Sequence, residues 1–390
     1  MFRKCPACGC DQYTSLSKIQ MTLPNGVGLP NTYHIVSCEQ CGCCFADTVA
    51  TQKDYDHYYS MFNFYGGQAS GENKQSQTAF AKVYEFTKAH LSPMANILDI
   101  GFGRGKLLLG LHHLGYTNLF GIDPSPASVA ALEKCGIPAF CGSIYNEPAS
   151  LNLEGKMDLA FLMSVAEHLL EPQTALCQVS KYLKSDGYLI VDIPDYSLCD
   201  KVDLPIPNQF NQEHINYFSS ESFSTMLMGT DFRILASTKI EIKVHKGYEY
   251  SQLFFLQKHT RNQKCILTKD IRTRGAIEKY LTKQAQNTEK IMDTITALYE
   301  KQIPRIIWGS GALAMHLMSS SELNKCNIIA FADENPLKTG MEIAGIKVIP
   351  PDAVKRYPDA AILVCVMKYV PDVQRKISML KLPNQVIFIT

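Results

Sequence analysis

The chain has almost no tryptophan, no excess of either charge and no long apolar run, and each absence removes a class of protein. Lys and Arg number 38 against 37 Asp and Glu, a formal net charge of +1. So even a balance argues against a protein that works on the phosphate backbone of nucleic acid, where clustered cations supply the affinity. No apolar stretch approaches the roughly 20 residues needed to span a bilayer, so no membrane partner is expected. The opening residues MFRKCPACGC carry no apolar run behind their basic pair and do not read as a secretion signal. No solenoid-type repeat is visible. What remains is ordinary globular composition, 46% hydrophobic with a single Trp, over 390 residues. That length suggests two or three domains.

Cysteine is what the chain does have. There are 14, and seven of them fall in the first 44 residues. Without an export signal, so many thiols point to the reducing cytoplasm. Cys5-Pro6-Ala7-Cys8 and Cys38-Glu39-Gln40-Cys41 are two Cys-x-x-Cys pairs, each followed by a glycine, Gly9 and Gly42. Two such knuckles supply the four thiolates of a tetrahedral zinc site, with Zn–S near 2.3 Å. Four cysteine ligands leave no open position, so the zinc is expected to be structural. The segment is too short to fold on a core alone, and metal binding would supply folding energy. Cys10, Cys43 and Cys44 are spare thiols to which ligation could slip.

A helical stretch near 74–91 precedes NILDIGFGRGKLLLGLHHLGY, residues 96–116. An apolar run ends in Asp99 and is followed by Gly101, Phe102, Gly103 and Gly105. A helix then carries Leu107, Leu108, Leu111 and Leu114 at helical spacing. Glycine is needed where the backbone turns with positive φ or lies close to a ligand. The next strand, NLFGID, ends in Asp123, whose carboxylate can accept both ribose hydroxyls of an adenosyl cofactor, with Pro124 beside it. Asp-x-Gly-x-Gly-x-Gly favours S-adenosylmethionine over NAD. Ser143 and Ile144 follow the third strand, where the adenine edge would lie. Met163 and Ser164 end the buried strand of MDLAFLMSVAEHLLEP, and LKSDGYLIVDIP gives a fifth strand. These units resemble a class I S-adenosylmethionine-dependent methyltransferase, a doubly wound α/β sheet with its ligand outside the strands' carboxyl ends. Glu167-His168 is common after strand four in that superfamily, where it implies a structural or cofactor-side histidine.

Residues 275–302 read as a long helix with Ile277, Leu281, Ile291, Ile295 and Leu298 among its apolar positions. RIIWGSGALAMHLM then repeats strand, glycine loop and helix, with Gly309, Gly311 and Ala314 in G-x-G-x-x-A and a strand ending in Asp333. Read alone this is a dinucleotide fingerprint. The alternative is a Rossmann-like domain that holds a nucleotide-sugar or completes a substrate cleft. DAAILVCV, 359–366, is a further buried strand.

Cysteine pairs, a methyltransferase core and a Rossmann-like tail in this order resemble the deoxysugar C-methyltransferases, which methylate nucleotide-linked 4-keto-6-deoxysugars. The resemblance implies three units: a zinc module and linker at 1–66, a methyltransferase domain at 67–260, and a helix with a substrate-binding domain at 261–390. It implies zinc on Cys5, Cys8, Cys38 and Cys41, S-adenosylmethionine in the central domain, and a nucleotide-sugar partner. The protein is then expected to be a monomer or homodimer. It also implies cofactor-side tyrosines from YDHYYSMFNFYGG, which offers Tyr55, Tyr58, Tyr59 and Tyr65 with the register open, Tyr65 being taken as the cofactor residue. The family's base is the histidine of a Tyr-x-Glu-His segment, matched here by Glu213 and His214 of NQEHINYF, although Asn211 replaces the tyrosine. The strand at 244–255 also departs, with Lys246-Gly247-Tyr248 where the family carries Gly-Gly-Ser.

Methylation at carbon needs a base to take the proton beside a carbonyl and a donor to hold the enolate oxygen. Imidazole titrates near neutrality, so His214 is the candidate base. Glu213 would orient it or bind the sugar, and Asn211 or Tyr217 would face the oxyanion. The other reading of the same stretch is structural: Glu-His anchors a loop, Phe218 packs in the core, and Ser219 or Ser220 caps a helix. O- or N-methylation of a sugar or other small metabolite, and a binding protein with a vestigial pocket, are the competing functions.

Overall fold

The computed structural model describes residues 2–61, 74–145, 152–244, 247–259, 267–367 and 369–389. Tyr65 and Lys246, both singled out above, lie outside the described residues. The architecture is mixed α/β, as expected, and is built on three sheets.

The N-terminal strands β1 (Tyr13–Gln20), β2 (Thr32–Cys38) and β3 (Cys44–Asp47) form an antiparallel meander. Each Cys-x-x-Cys turn ends in a left-handed glycine, Gly9 at φ 73° and Gly42 at φ 76°, a conformation that glycine adopts without strain. Helix α1 (Gln52–Met61) leads out of this module, and α2 (Lys74–His90) leads into the central unit.

There β4 (Ile97–Ile100), α3 (Lys106–His113), β5 (Leu119–Asp123), α4 (Pro126–Glu133), β6 (Ala139–Cys141), β7 (Met157–Met163), α5 (Pro172–Tyr182) and β8 (Leu183–Pro194) alternate along the chain. The stretch after β8 holds α6 (Ile206–Gln209), β9 (Asn216–Tyr217) and α7 (Ser220–Met226). A long hairpin of β10 (Phe232–Val244) and β11 (Gly247–Lys258) closes the sheet, whose order is β10-β11-β8-β7-β4-β5-β6. From β6 to β8 the strands are parallel, and β11 joins β8 antiparallel. All four residues of β4 are buried, as suits a parallel strand covered on both faces.

Strand β9 does not join that sheet. It pairs with β3 through Cys44–Tyr217 and Phe45–Asn216, because Phe218 and Phe223 pack in one core with Cys5, Val36, Cys38 and Phe45. The guanidinium of Arg3 donates to the carbonyls of Leu170 and Ile215 and to Asn216 Oδ1, joining the same pieces.

The C-terminal unit begins with α8 (Thr273–Lys301), 29 residues long, hence about 44 Å. Its first half buries Ile277 and Tyr280 against Tyr196 and Cys199, and its second half buries Ile295 and Leu298 in a separate core. One helix therefore ties two cores together. Beyond it come β12 (Arg305–Trp308), α9 (Ala312–Ser320), β13 (Ile328–Ala332), β14 (Glu342–Ile343), β15 (Ile346–Ile349), β16 (Ala361–Val364), α10 (Val370–Met379) and β17 (Val386–Phe388). Their sheet runs β14-β15-β13-β12-β16-β17, parallel except at β14. Among the described residues no helix is long and apolar enough to cross a membrane.

Candidate active site

The loop after β4 turns on Gly101, Gly103 and Gly105, all at positive φ. A Cβ on Gly101 would lie 2.7 Å from Val165, and one on Gly105 2.7 Å from Leu132. The positive φ favours glycine at both positions, and a Cβ at either would also have to displace a side-chain end. Asp123, at the end of β5, accepts from Gly103 N at 2.8 Å and Ser125 N at 2.9 Å. Its carboxylate is thus aimed at the loop where a ligand would lie.

That loop forms one wall of a cleft of about 660 Å³. Gly101, Phe102, Gly103, Asp123, Pro124, Ser143, Ile144, Met163 and Ser164 line it. Asn211, Glu213 and His214 line it too, with Tyr59, Asn208, Glu249, Ala312 and Met367. Residues proposed from sequence for cofactor and for acceptor thus share one space. Three do not line it: Gly105 supports the loop from outside the cleft, and two others are buried. Asp99 is buried behind the loop, and Tyr217 is fully buried between Tyr196 and Phe210. Tyr217 is held there by the β3–β9 pairing, so its hydroxyl does not face an oxyanion in the cleft.

Asn211 acts through the backbone. Its Oδ1 accepts from Glu213 N at 2.8 Å and His214 N at 2.9 Å, which fixes the turn carrying both side chains. Helix α1 supplies two tyrosines to the same turn and a third to the neighbouring His168. Tyr55 donates to Gln212 O, Tyr58 to the Glu213 carboxylate, and the Tyr59 hydroxyl lies 3.0 Å from His168 Nδ1. His168 Nδ1 is also 2.9 Å from Glu213 O, and His214 Nδ1 is 3.1 Å from Tyr196 Oη. The two imidazoles meet edge to face, their centroids 4.9 Å apart.

Sequence reasoning gave little weight to several of these. Glu167 is 1% exposed, yet neither carboxylate oxygen has a hydrogen-bond partner among the described residues. Burial pushes its carboxyl well above the usual range and holds His168 below the usual imidazole value. Asp192, on the cleft wall, is pushed up to about 7 by burial, and Asp99 to about 8 by burial and the nearby Asp123 charge. An aspartate inside the apolar run LIVDIP was the available sign for Asp192.

The second glycine loop takes another course. Ser310 N and Oγ both donate to Asp333 Oδ2, and Lys338 Nζ lies 3.0 Å from the same oxygen. Asp333 thus shares the backbone contacts of Asp123 and carries two more, from Ser310 Oγ and Lys338 Nζ, while Ala312 at the start of α9 lines the central cleft.

The four knuckle cysteines lie apart from the cleft. Their sulfurs fall within 4.8 Å of one another, with Cys5–Cys41 at 3.5 Å and Cys8–Cys38 at 3.6 Å. A tetrahedral ion with Zn–S near 2.3 Å puts its sulfurs about 3.8 Å apart, so the donor set fits zinc.

Residues 72–237 match the family model described as a methyltransferase domain. The central unit is a class I S-adenosylmethionine-dependent methyltransferase domain. Residues 301–388 match a second family model, described as C2185-like, N-terminal. The ribosomal protein L11 methyltransferase of Thermosipho africanus is 28% identical over 145 residues, 37% of this chain and 52% of that enzyme. The human EEF1A lysine methyltransferase 2 is 31% identical over 88 residues, 21% of this chain and 36% of that protein. The chain thus spans about half, or less, of the length of these curated relatives. Among solved structures, the magnesium protoporphyrin IX methyltransferase of Synechocystis with bound S-adenosylhomocysteine aligns at TM-score 0.42 and 15% identity, covering 53% of this chain and all of that one. The glycine loop and Asp123 fall within the residues that match the methyltransferase-domain model.

Proposed function

We propose that the protein transfers the methyl group of S-adenosylmethionine to a small-molecule acceptor bound between the methyltransferase domain and the C-terminal unit. The acceptor in this reading is a nucleotide-linked 4-keto-deoxysugar, methylated at the carbon beside its ketone. Glycine loop and Asp123 hold the cofactor, and His214 removes the proton to give the enolate. Glu213, braced by Tyr58, and Asn211 set the imidazole's position. Zinc on Cys5, Cys8, Cys38 and Cys41 is structural: it holds the module whose strand β3 pairs with the turn leading out of His214.

The observation that carries this is the imidazole of His214 in the same cleft as the cofactor loop, with its Nδ1 at Tyr196 Oη. The test is solvent-deuterium exchange at the carbon beside the ketone, which only an enolising site performs. A positioned base contributes roughly 10²–10⁴-fold. His214→Ala should lose exchange by that factor while still binding cofactor; exchange within a few-fold of wild type would remove His214 as base.

One observation favours a second reading, O- or N-methylation of a hydroxylated or amine-bearing metabolite. Asp192, Asp195, Glu213 and Glu249 line the cleft, and Arg104 is the lone Lys or Arg among its described lining residues. Carboxylates suit hydroxyls and amines better than a diphosphate. Methyl transfer to an amine or alcohol with no deuterium exchange would select it.

A further inference from the structure

Lys239 lies on β10, the outermost strand of the seven-stranded sheet, and its side chain is half exposed. Its ammonium nevertheless reaches past β11 to the end of β8, where Nζ lies 2.8 Å from Asp195 Oδ2. The Asp195 side chain is wholly buried. Taking a carboxylate out of water is costly unless a cation is paired with it, and Lys239 is that cation. It supplies charge rather than a directed bond, since Oδ2 has no hydrogen-bond partner of good geometry among the described residues. The other oxygen, Oδ1, accepts from Ser197 N at 3.1 Å and Ser197 Oγ at 2.6 Å, which caps the 3₁₀ turn Tyr196–Lys201. Asp195 N donates to Tyr250 O and Tyr196 N to Phe218 O, both at 2.9 Å, so the backbone at the cap is pinned as well.

Tyr196 opens that turn, its ring buried against Phe210 and Tyr217. Its hydroxyl hydrogen goes to Gln209 O at 2.7 Å, because a carbonyl can only accept. Tyr196 Oη therefore accepts from His214 Nδ1 at 3.1 Å, which places the hydrogen of the neutral ring on Nδ1 and the lone pair on Nε2. A shift of the capped turn moves Oη, and the imidazole with it.

We propose that Lys239 is a positioning residue for His214, acting through the buried Asp195 carboxylate and the Tyr196 hydroxyl. The contacts run without a break from ammonium to carboxylate, from carboxylate to capped turn, and from tyrosine to imidazole. Lys239 is not among the described residues that line the cleft, so its removal acts on the proton-transfer step and not on binding. Without the ammonium, one oxygen of a buried carboxylate loses its counter-charge, and the side chain turns off Ser197 to reach water. The cap loosens, Tyr196 Oη moves, and the tautomer of His214 is no longer fixed. The effect on turnover rests on His214 as the base; the series of contacts does not.

Nitrogen NMR of the full chain, with the imidazoles neutral and His214 assigned by its loss in His214→Ala, reads the tautomer without any acceptor. Wild type should show Nδ1–H alone, Lys239→Met both tautomers, and Lys239→Arg, which keeps the charge, one again. With a nucleoside-diphosphate-linked 4-keto-deoxysugar as probe, Lys239→Met should lower the maximal rate of solvent-deuterium exchange about tenfold or more, with KM and S-adenosylhomocysteine affinity held within about twofold. An unchanged His214 tautomer in Lys239→Met overturns the proposal. So does an equal loss of cofactor affinity, the mark of general loosening. Should Lys239→Met fail to fold, Lys239→Gln removes the charge with most of the stem kept, and the same results decide. Mixed tautomers in the variant of a protein that exchanges no deuterium even as wild type keep Lys239 in this role and remove His214 as the base.

Discussion

The two knuckle glycines offer a perturbation whose size differs for a reason visible at atomic scale. Gly9 and Gly42 hold nearly the same backbone, φ 73° and 76°. An alanine at either costs the left-handed penalty, about 1–2 kcal/mol. A Cβ on Gly9 meets nothing within 4 Å, whereas one on Gly42 would lie 1.9 Å from the carbonyl oxygen of Asp270. That carbonyl cannot swing aside freely, because Asp270 N donates to Cys41 O at 2.8 Å. The Asp270 carboxylate meanwhile accepts from Ser219 Oγ and from the backbone of Arg272 and Thr273 at the start of α8. Gly42→Ala must separate these, adding overpacking of about 1–3 kcal/mol and a lost buried hydrogen bond of about 1 kcal/mol. The expected total is about 3–6 kcal/mol for Gly42→Ala against about 1–2 kcal/mol for Gly9→Ala. Chemical denaturation of both variants, with zinc release followed by a chromogenic chelator, measures the difference. Gly42→Ala should release zinc at markedly lower denaturant than Gly9→Ala. Equal midpoints would refute the reasoning and show that the knuckle does not bear on Asp270.

Two other outcomes follow from the cleft. Asp192 is pushed up to about 7 by burial, so near neutrality it holds a proton that a cationic ligand would displace. S-adenosylmethionine affinity should therefore rise between pH 6 and 8, with proton release measurable by calorimetry in buffers of different ionisation enthalpy. S-adenosylhomocysteine, lacking the sulfonium charge, should show a smaller slope, and Asp192→Asn should remove the difference; identical slopes in wild type would count against it. Tyr196→Phe deletes the oxygen that fixes the His214 tautomer while keeping the buried ring. Methyl transfer should fall about tenfold or more with cofactor affinity unchanged, and nitrogen NMR should find both tautomers of His214 populated; a single unchanged tautomer would rule out Tyr196 as the fixing group.

The parts legible from sequence are those decided within a few residues. The glycine loop, the strand ending at Asp123 and the Ser219 cap before α7 depend on local φ, period and side-chain reach, and each sits in a recognisable local pattern. The parts that were not legible depend on partners far along the chain. Tyr217 looked available to a substrate because its burial comes from β3, some 170 residues earlier. Asp99 ended an apolar run as expected, but its depth behind the loop is a matter of packing. The tyrosines of α1 had no register until the helix was set against the 211–214 turn. At Gly309 the spacing left a dinucleotide, a nucleotide-sugar and a cleft-completing role open, because it cannot reveal that Ser310 and Lys338 contact Asp333.

The two-residue strand Asn216–Tyr217 has a consequence for protein engineering. A chimaera cut between the cysteine module and the methyltransferase domain would respect the linear order of the units but leave β3 paired with β2 alone, without its β9 partner. The recipient domain would keep its cofactor loop while the turn bearing His214 lost its anchor, so such a hybrid should bind nucleoside and fail to select an acceptor. Transplanting acceptor choice therefore means moving residues 2–61 together with 195–218, two pieces that recombination at a single junction cannot carry at once.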